Sequence, residues 1–184
     1  SLFLGIGLLL AVFAFLVWAA DGKSFSLTGM LESTVVRAVP IALGGLAGVL
    51  SERVAVVNIG IEGMLLSGAF TGAIVGSLAG GVIGIAGAMV VGGLFGFILG
   101  ALVITYRVDQ IIAGVAINLF VLGMTSYVSS QVLTEYRFLN NAPVFRARPI
   151  PFLSDLPVIG PVLFRQNVFV YGAFIMVAVA TYYL

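Results

Sequence analysis

Long apolar runs that carry almost no charge limit this sequence more than any other feature. Charged residues make up 8% of the chain, whereas soluble domains carry about 25%. Lipid is the alternative solvent, and there a spanning segment must satisfy its own backbone hydrogen bonds. The runs are 16 to 26 residues long and lack the alternation of barrel strands. We therefore predict an all-α transmembrane protein, a polytopic helical bundle.

A membrane span needs about 20 apolar residues. The first run has the length of a signal peptide, but further spans follow it, which favours a first span. Pro40 predicts a kink or an oblique start in the second. Because the chain begins and stops inside apolar runs, we expect residues 1–184 to be a single transmembrane domain truncated at both ends. About six spans are predicted, at residues 2–20, 35–50, 54–79, 82–106, 111–133 and from 168 onward.

Glycines recur at every fourth position through the third and fourth predicted spans. Small residues at this spacing let helix backbones approach closely in lipid. Glycine enrichment common to membrane helices is the alternative explanation. The glycines are Gly68, Gly72, Gly76, Gly80 and Gly84, followed by Gly92, Gly96 and Gly100.

The segment 134–167 differs in composition, with five prolines and four arginines. The prolines argue against a long regular helix, and its apolar pieces suggest a loop at the bilayer interface. Its four arginines lie on the opposite side of the predicted membrane from Arg53 and Arg107. Because positive residues are more frequent in cytoplasmic loops, the charge count mildly favours a cytoplasmic location for this segment.

Two polar residues, Asn58 and Glu62, fall within the third predicted span. Their spacing of four predicts one shared helix face. A carboxylate inside a span normally faces a cavity or a partner. Counted along a regular helix from Arg53, Glu62 would lie near the middle of the bilayer. We interpret the pair as part of a solute pathway or a hinge beside it, with an interfacial carboxylate as the alternative.

A second polar pair, Gln110 and Asn118, opens the fifth predicted span. Their spacing of eight places them on roughly one face. Amides there either bridge helices by hydrogen bonds or line the pathway, and both interpretations stay open. Asp109 next to Arg107 predicts an interfacial ion pair.

The sequence lacks the residues of several chemistries. It has no cysteine and no histidine, so thiol catalysis, the usual zinc sites and intramembrane serine proteolysis have no candidate residues. It has no phosphate-binding loop of the Gly-x-x-x-x-Gly-Lys-Ser/Thr type. The net charge of +1 gives no case for nucleic acid. We expect no catalytic residue, cofactor or metal, and we infer transport rather than an enzymatic activity.

Three motifs resemble the membrane permeases of bacterial ABC importers, in the ribose-type family and its nucleoside and simple-sugar branch. They are LSER at 50–53 with VNIGIEGM at 57–64, then VDQIIAGVAINL at 108–119, and IPFLS at 150–154 with LPVIG at 156–160 and QN at 166–167. The resemblance runs from about residue 35 to 184, and Asn58, Glu62, Gln110 and Asn118 all fall within the matching motifs.

The resemblance implies a permease in the bacterial inner membrane that moves a nucleoside or simple sugar by alternating access. It implies cytoplasmic ATPase subunits, a second permease subunit and an extracytoplasmic solute-binding protein as partners. It also implies that the loop 134–167 is extracytoplasmic, against the charge count. An ion-coupled secondary transporter or channel using Glu62, and a purely structural subunit, are the alternatives.

Overall fold

The computed structural model describes residues 2–19, 26–154, 156 and 159–183. The main helices are α1 (Leu2–Ala19), α2 (Leu27–Glu52), α3 (Ile61–Ala79), α4 (Gly81–Gly100), α5 (Gln110–Val128) and α6 (Val168–Tyr183). Turns of π-helix extend α4 through Ala101–Thr105 and α5 through Ser129–Leu133. The described strands are β1 (Arg148–Pro149) and β2 (Arg165–Gln166).

The predicted all-α transmembrane class is confirmed. Four described helices are long and apolar enough to cross a membrane, at Thr28–Glu52, Ile61–Ala79, Gly81–Thr105 and Gln110–Leu133. The first and sixth predicted spans coincide with shorter apolar helices, Gly5–Phe15 and Val168–Tyr183. The outward faces are strongly apolar, as Phe97 and Met89 illustrate by exposing more than two thirds of their surface. The chain is a multi-pass membrane protein.

Two predicted helix boundaries were wrong. The second span begins at Leu27 rather than at 35, because the Ser26 hydroxyl accepts a hydrogen bond from the Gly29 amide and caps the helix. The third span begins at Ile61 rather than at 54. Asn58 therefore precedes the helix, so it does not share a helix face with Glu62. The depth calculated for Glu62 along a regular helix from Arg53 has no basis either.

The helices α3 and α4 form a close antiparallel hairpin. Gly80, at φ +93°, makes the turn between them, because glycine adopts positive φ without steric cost. A Cβ built on Gly84 would stand 2.7 Å from the carbonyl oxygen of Gly72 and 2.7 Å from the Cα of Gly76. The predicted close packing through small residues is confirmed for this part of the glycine stripe.

Two apolar clusters join the other helices. One forms where α4 meets α5, around Phe95, Leu99, Ile117 and the fully buried Val121. The other holds α2 against α6.

The segment between α5 and α6 has its own order in place of a long regular helix. The strands β1 and β2 pair antiparallel at its base. Tyr171 donates a hydrogen bond to the Arg148 carbonyl and accepts one from the Gln166 amide, which ties α6 to both strands. Gln166 is 2% exposed, and its side chain donates to the Val162 carbonyl at 2.8 Å. Asp155 and Pro157 of this segment lie outside the described residues.

Candidate functional site

The break between α2 and α3 is a defined turn. The Ala55 amide donates to the Glu52 carbonyl at 2.9 Å, and the Val56 amide donates to the Ser51 carbonyl at 3.0 Å. This is the hydrogen-bond pattern of a Schellman motif, in which the residue at the position of Ala55 is left-handed. Ala55 has φ +59°, a conformation that costs a non-glycine residue about 1–2 kcal/mol. Other contacts must therefore stabilise the turn.

Gln110, the first residue of α5, supplies two of these contacts. Its Oε1 accepts a hydrogen bond from the Val57 amide at 2.6 Å, and its Nε2 donates to the Ala55 carbonyl at 3.2 Å. The neighbouring Asp109 caps α5, because its Oδ1 accepts from the amides of Ile111 and Ile112. Helix capping is thus the role observed for Asp109, where the sequence predicted an ion pair with Arg107.

Asn118 makes the equivalent pair of contacts eight residues later on α5. Its Oδ1 accepts from the Gly63 amide at 2.7 Å, and its Nδ2 donates to the Ile59 carbonyl at 2.9 Å. The first amides of a helix lack partners within the helix, so Asn118 satisfies one of them in α3. The two amide side chains together fix residues 55–63 to α5. We call residues 55–63 the amide-bound segment.

Glycines make this contact possible. A Cβ built on Gly114 would lie 2.9 Å from the Gly60 nitrogen and 2.9 Å from the Ile59 Cβ. A Cβ on Gly63 would lie 2.9 Å from the Asn118 Oδ1. All three glycines are buried. Any side chain at Gly63 or Gly114 would push the amide-bound segment away from α5.

Asn58 lines a large cavity. Its Nδ2 lies 3.6 Å from the Met64 sulfur, which is a weak acceptor. Its Oδ1 is buried and has no hydrogen-bond partner in the described structure. A buried polar atom without a partner costs free energy and needs an explanation.

The cavity has a volume of about 830 Å³. It lies between α2, α3 and α4, and none of the described residues that line it is charged. Its lining on α3 runs from Ile61 to Ala73, which is about 18 Å at the helical rise of about 1.5 Å per residue. Asn58 lies at the end where α3 begins. At the other end, Phe145 and Phe169 meet edge to face with ring centroids 5.0 Å apart.

A second asparagine, Asn167, lines that far end of the cavity. Its Oδ1 accepts a hydrogen bond from the Val170 amide at 3.1 Å. The sequence motif contained Asn167 but gave no reason to assign it a role, because only the fold brings it to the cavity.

Glu62 lies in the first turn of α3 and is exposed. It lines an adjoining recess of about 540 Å³ between α2 and α3, together with Glu52, and this recess shares the walls formed by Pro40, Gly44, Ile61 and Leu65 with the cavity. A carboxylate in the first turn of a helix is stabilised by the helix dipole by about 0.3–1 kcal/mol. Of the four predicted site residues, Gln110 and Asn118 thus bind the same segment, while Asn58 and Glu62 line different recesses. The described residues contain no group of three His, Cys, Asp or Glu side chains suited to a metal ion.

Residues 30–184 match the protein family described as the branched-chain amino acid transport system / permease component. The guanosine ABC transporter permease protein NupQ of Bacillus subtilis is 36% identical over 145 residues, which cover 74% of this chain and 45% of that protein. The putative glucose ABC transporter permease protein TsgC13 of Haloferax volcanii is 32% identical over 85% of this chain and 47% of its own.

The nucleoside ABC transporter permease protein NupC of Lactococcus lactis is 26% identical over 84% of this chain and 51% of its own. The chain thus spans about half the length of these curated relatives. No solved structure matches it. Because the family match covers most of the chain, from the start of α2 onward, this multi-pass membrane protein belongs to the branched-chain amino acid transport system / permease component family.

Proposed function

We propose that this chain is part of the membrane-spanning permease subunit of an ABC importer that translocates a nucleoside or a simple sugar. The uncharged cavity beside the amide-bound segment is the observation that carries the proposal, because it offers a neutral solute a route along α3. The names of the relatives, which include guanosine, nucleoside and glucose permeases, support this solute class.

Alternating access is the mechanism that we propose. Separate cytoplasmic ATPase subunits would bind and hydrolyse ATP, and a second permease subunit would complete the route. A permease subunit of this kind is not itself an enzyme, in keeping with relatives that are named as permease proteins. The cell membrane is the location that fits these relatives.

The loop 134–167 is proposed to lie outside the cell and to receive a solute-binding protein. Its folded base supports a docking role, because β1 and β2 pair there and Tyr171 ties them to α6. Among the four predicted site residues, we propose that Asn58 contacts the solute. Gln110 and Asn118 would position the amide-bound segment, and Glu62 would act from its recess beside the route.

The alternative of an ion-coupled secondary transporter is less well supported by the position of Glu62. That alternative relied on a carboxylate placed deep in a regular third span, whereas Glu62 is exposed in the first turn of α3. The purely structural subunit predicts that substitutions at Asn58 leave the transport rate per assembled complex unchanged.

The full-length gene, expressed with its neighbours, tests the proposal. The complex is purified, reconstituted in liposomes and supplied with binding protein loaded with guanosine or glucose. A copurifying ATPase whose hydrolysis rises with loaded binding protein is the expected result. Uptake driven by a proton or sodium gradient, with no copurifying ATPase, would contradict the proposal.

A further inference from the structure

The unpaired Oδ1 of Asn58 indicates the chemistry of a ligand that would fit the cavity. An uncharged lining gives no partner for an ion, so the ligand is neutral. The buried Oδ1 accepts a hydrogen bond from nothing in the described structure, so the ligand must bring a donor. A lipid acyl chain fits the length of the cavity but has no donor to place at this end.

The apolar walls distinguish between the two proposed solute classes. A simple sugar carries hydroxyl groups around its whole ring, and most of them would lose water without finding a partner among Ile61, Met64 and Leu65. Each such loss is unfavourable. A nucleobase has two apolar faces and a polar edge, and methionine sulfur makes favourable contacts with aromatic rings.

We propose that the cavity recognises a nucleoside through its base, with Asn58 as a specificity-determining residue whose Oδ1 accepts a hydrogen bond from a ring N–H. The proposal rests on the proposed function and narrows its solute class.

Inosine and 1-methylinosine provide a sharp pair of probes, because methylation removes the only N–H of the inosine base. Uptake of both is measured in the complete reconstituted transporter with its binding protein. The ratio of inosine uptake to 1-methylinosine uptake should be about fivefold lower in the Asn58→Leu variant than in the wild type. This factor corresponds to the contribution of one neutral hydrogen bond. Comparing the ratio between variants removes any preference of the binding protein, which is common to both.

Two further variants complete the experiment. Asn58→Asp keeps an acceptor oxygen and should keep the preference for inosine. Gln131→Leu removes an exposed amide after α5 and should leave the ratio at the wild-type value. An unchanged ratio in Asn58→Leu overturns the proposal, while solute-stimulated ATP hydrolysis in the same preparation would show that the proposed function still holds.

A second measurement applies if Asn58→Leu does not assemble. The chain has no native cysteine, so Ala69→Cys places a single thiol in the cavity wall. Inosine should slow its reaction with N-ethylmaleimide, and glucose at the same concentration should not. Protection by glucose but not by inosine overturns the nucleoside proposal. If lipid slows the labelling of the thiol to the same extent with and without inosine, the cavity holds an acyl chain. That result would also overturn the nucleoside proposal.

Discussion

Asn118 on α5 and Gly63 on α3 are joined by a hydrogen bond of 2.7 Å, from the Gly63 amide to the Asn118 Oδ1. The same side chain donates to the Ile59 carbonyl on the other side of the helix start. One amide therefore bridges the last residues of the turn and the first turn of α3. Because Gln110 repeats this arrangement earlier in the segment, α5 and the start of α3 form one unit.

Replacing Asn118 by leucine should destabilise the protein by about 2–4 kcal/mol, because two hydrogen bonds are lost and a backbone donor and acceptor are left unpaired. A lower melting temperature of the detergent-purified protein would show this. Asn118→Asp should be milder, since it keeps the acceptor for Gly63. Gln131→Leu, at an exposed position, serves as the control. Equal melting temperatures for all variants would rule out the structural role.

The sequence predicted the spans well where apolar runs ended at strong breaks. The third, fourth, fifth and sixth helices end or begin within a few residues of Gly80, Arg107, Gln110 and Val168. It failed between α2 and α3, because the residues 54–60 are as apolar as a span. Nothing local reveals that Gln110 and Asn118, more than fifty residues later, stabilise a turn there.

The candidate site shows the same limit. The sequence identified Asn58, Gln110 and Asn118 as unusual polar residues in apolar surroundings, and it kept interhelical bridging open for the two on α5. It placed Asn58 on the wrong kind of element because spacing carries meaning only inside a regular helix. The contribution of Asn167 to the cavity depends on the long loop returning over α3, which no local pattern encodes.

Glycine substitutions test the contact between α5 and the amide-bound segment. Gly114→Ala should destabilise the protein by about 1–3 kcal/mol, because the added methyl group would meet the Gly60 nitrogen and Ile59. Gly123→Ala, on the same helix, meets nothing within 4 Å and should be neutral or slightly stabilising. Thermal melts of the two variants side by side give the comparison. A neutral Gly114→Ala would mean that the close approach does not exist.

The α3–α4 hairpin has its own matched pair. Gly84→Ala should destabilise it, because the new Cβ would stand 2.7 Å from backbone atoms of α3 that have no room to move. Gly93→Ala, further along α4, has open space and should leave the melting temperature within about a degree or raise it. The amount of folded protein recovered from membranes is a second readout. Similar yields and melts for both variants would contradict the packing of this hairpin.

Glu62→Gln tests the proposed role of the carboxylate. We expect uptake in the reconstituted transporter to fall severalfold while the subunit still assembles, because the amide keeps the shape but removes the charge in the recess shared with Glu52. Stability should change by no more than about 1 kcal/mol, the contribution of a carboxylate to a helix start. Glu32→Gln on α2 is the control. Wild-type uptake in Glu62→Gln would remove this residue from the pathway.

The orientation of the chain can be read directly because no native cysteine interferes. Val144 lies in the loop 134–167 and is 87% exposed, while Val54 follows α2 and is 71% exposed. If the loop is extracytoplasmic, a membrane-impermeant maleimide should label Val144→Cys in intact spheroplasts and label Val54→Cys only after lysis. The reverse pattern would mean that the count of positive charges gave the correct orientation. It would also exclude the loop as the surface that receives a solute-binding protein.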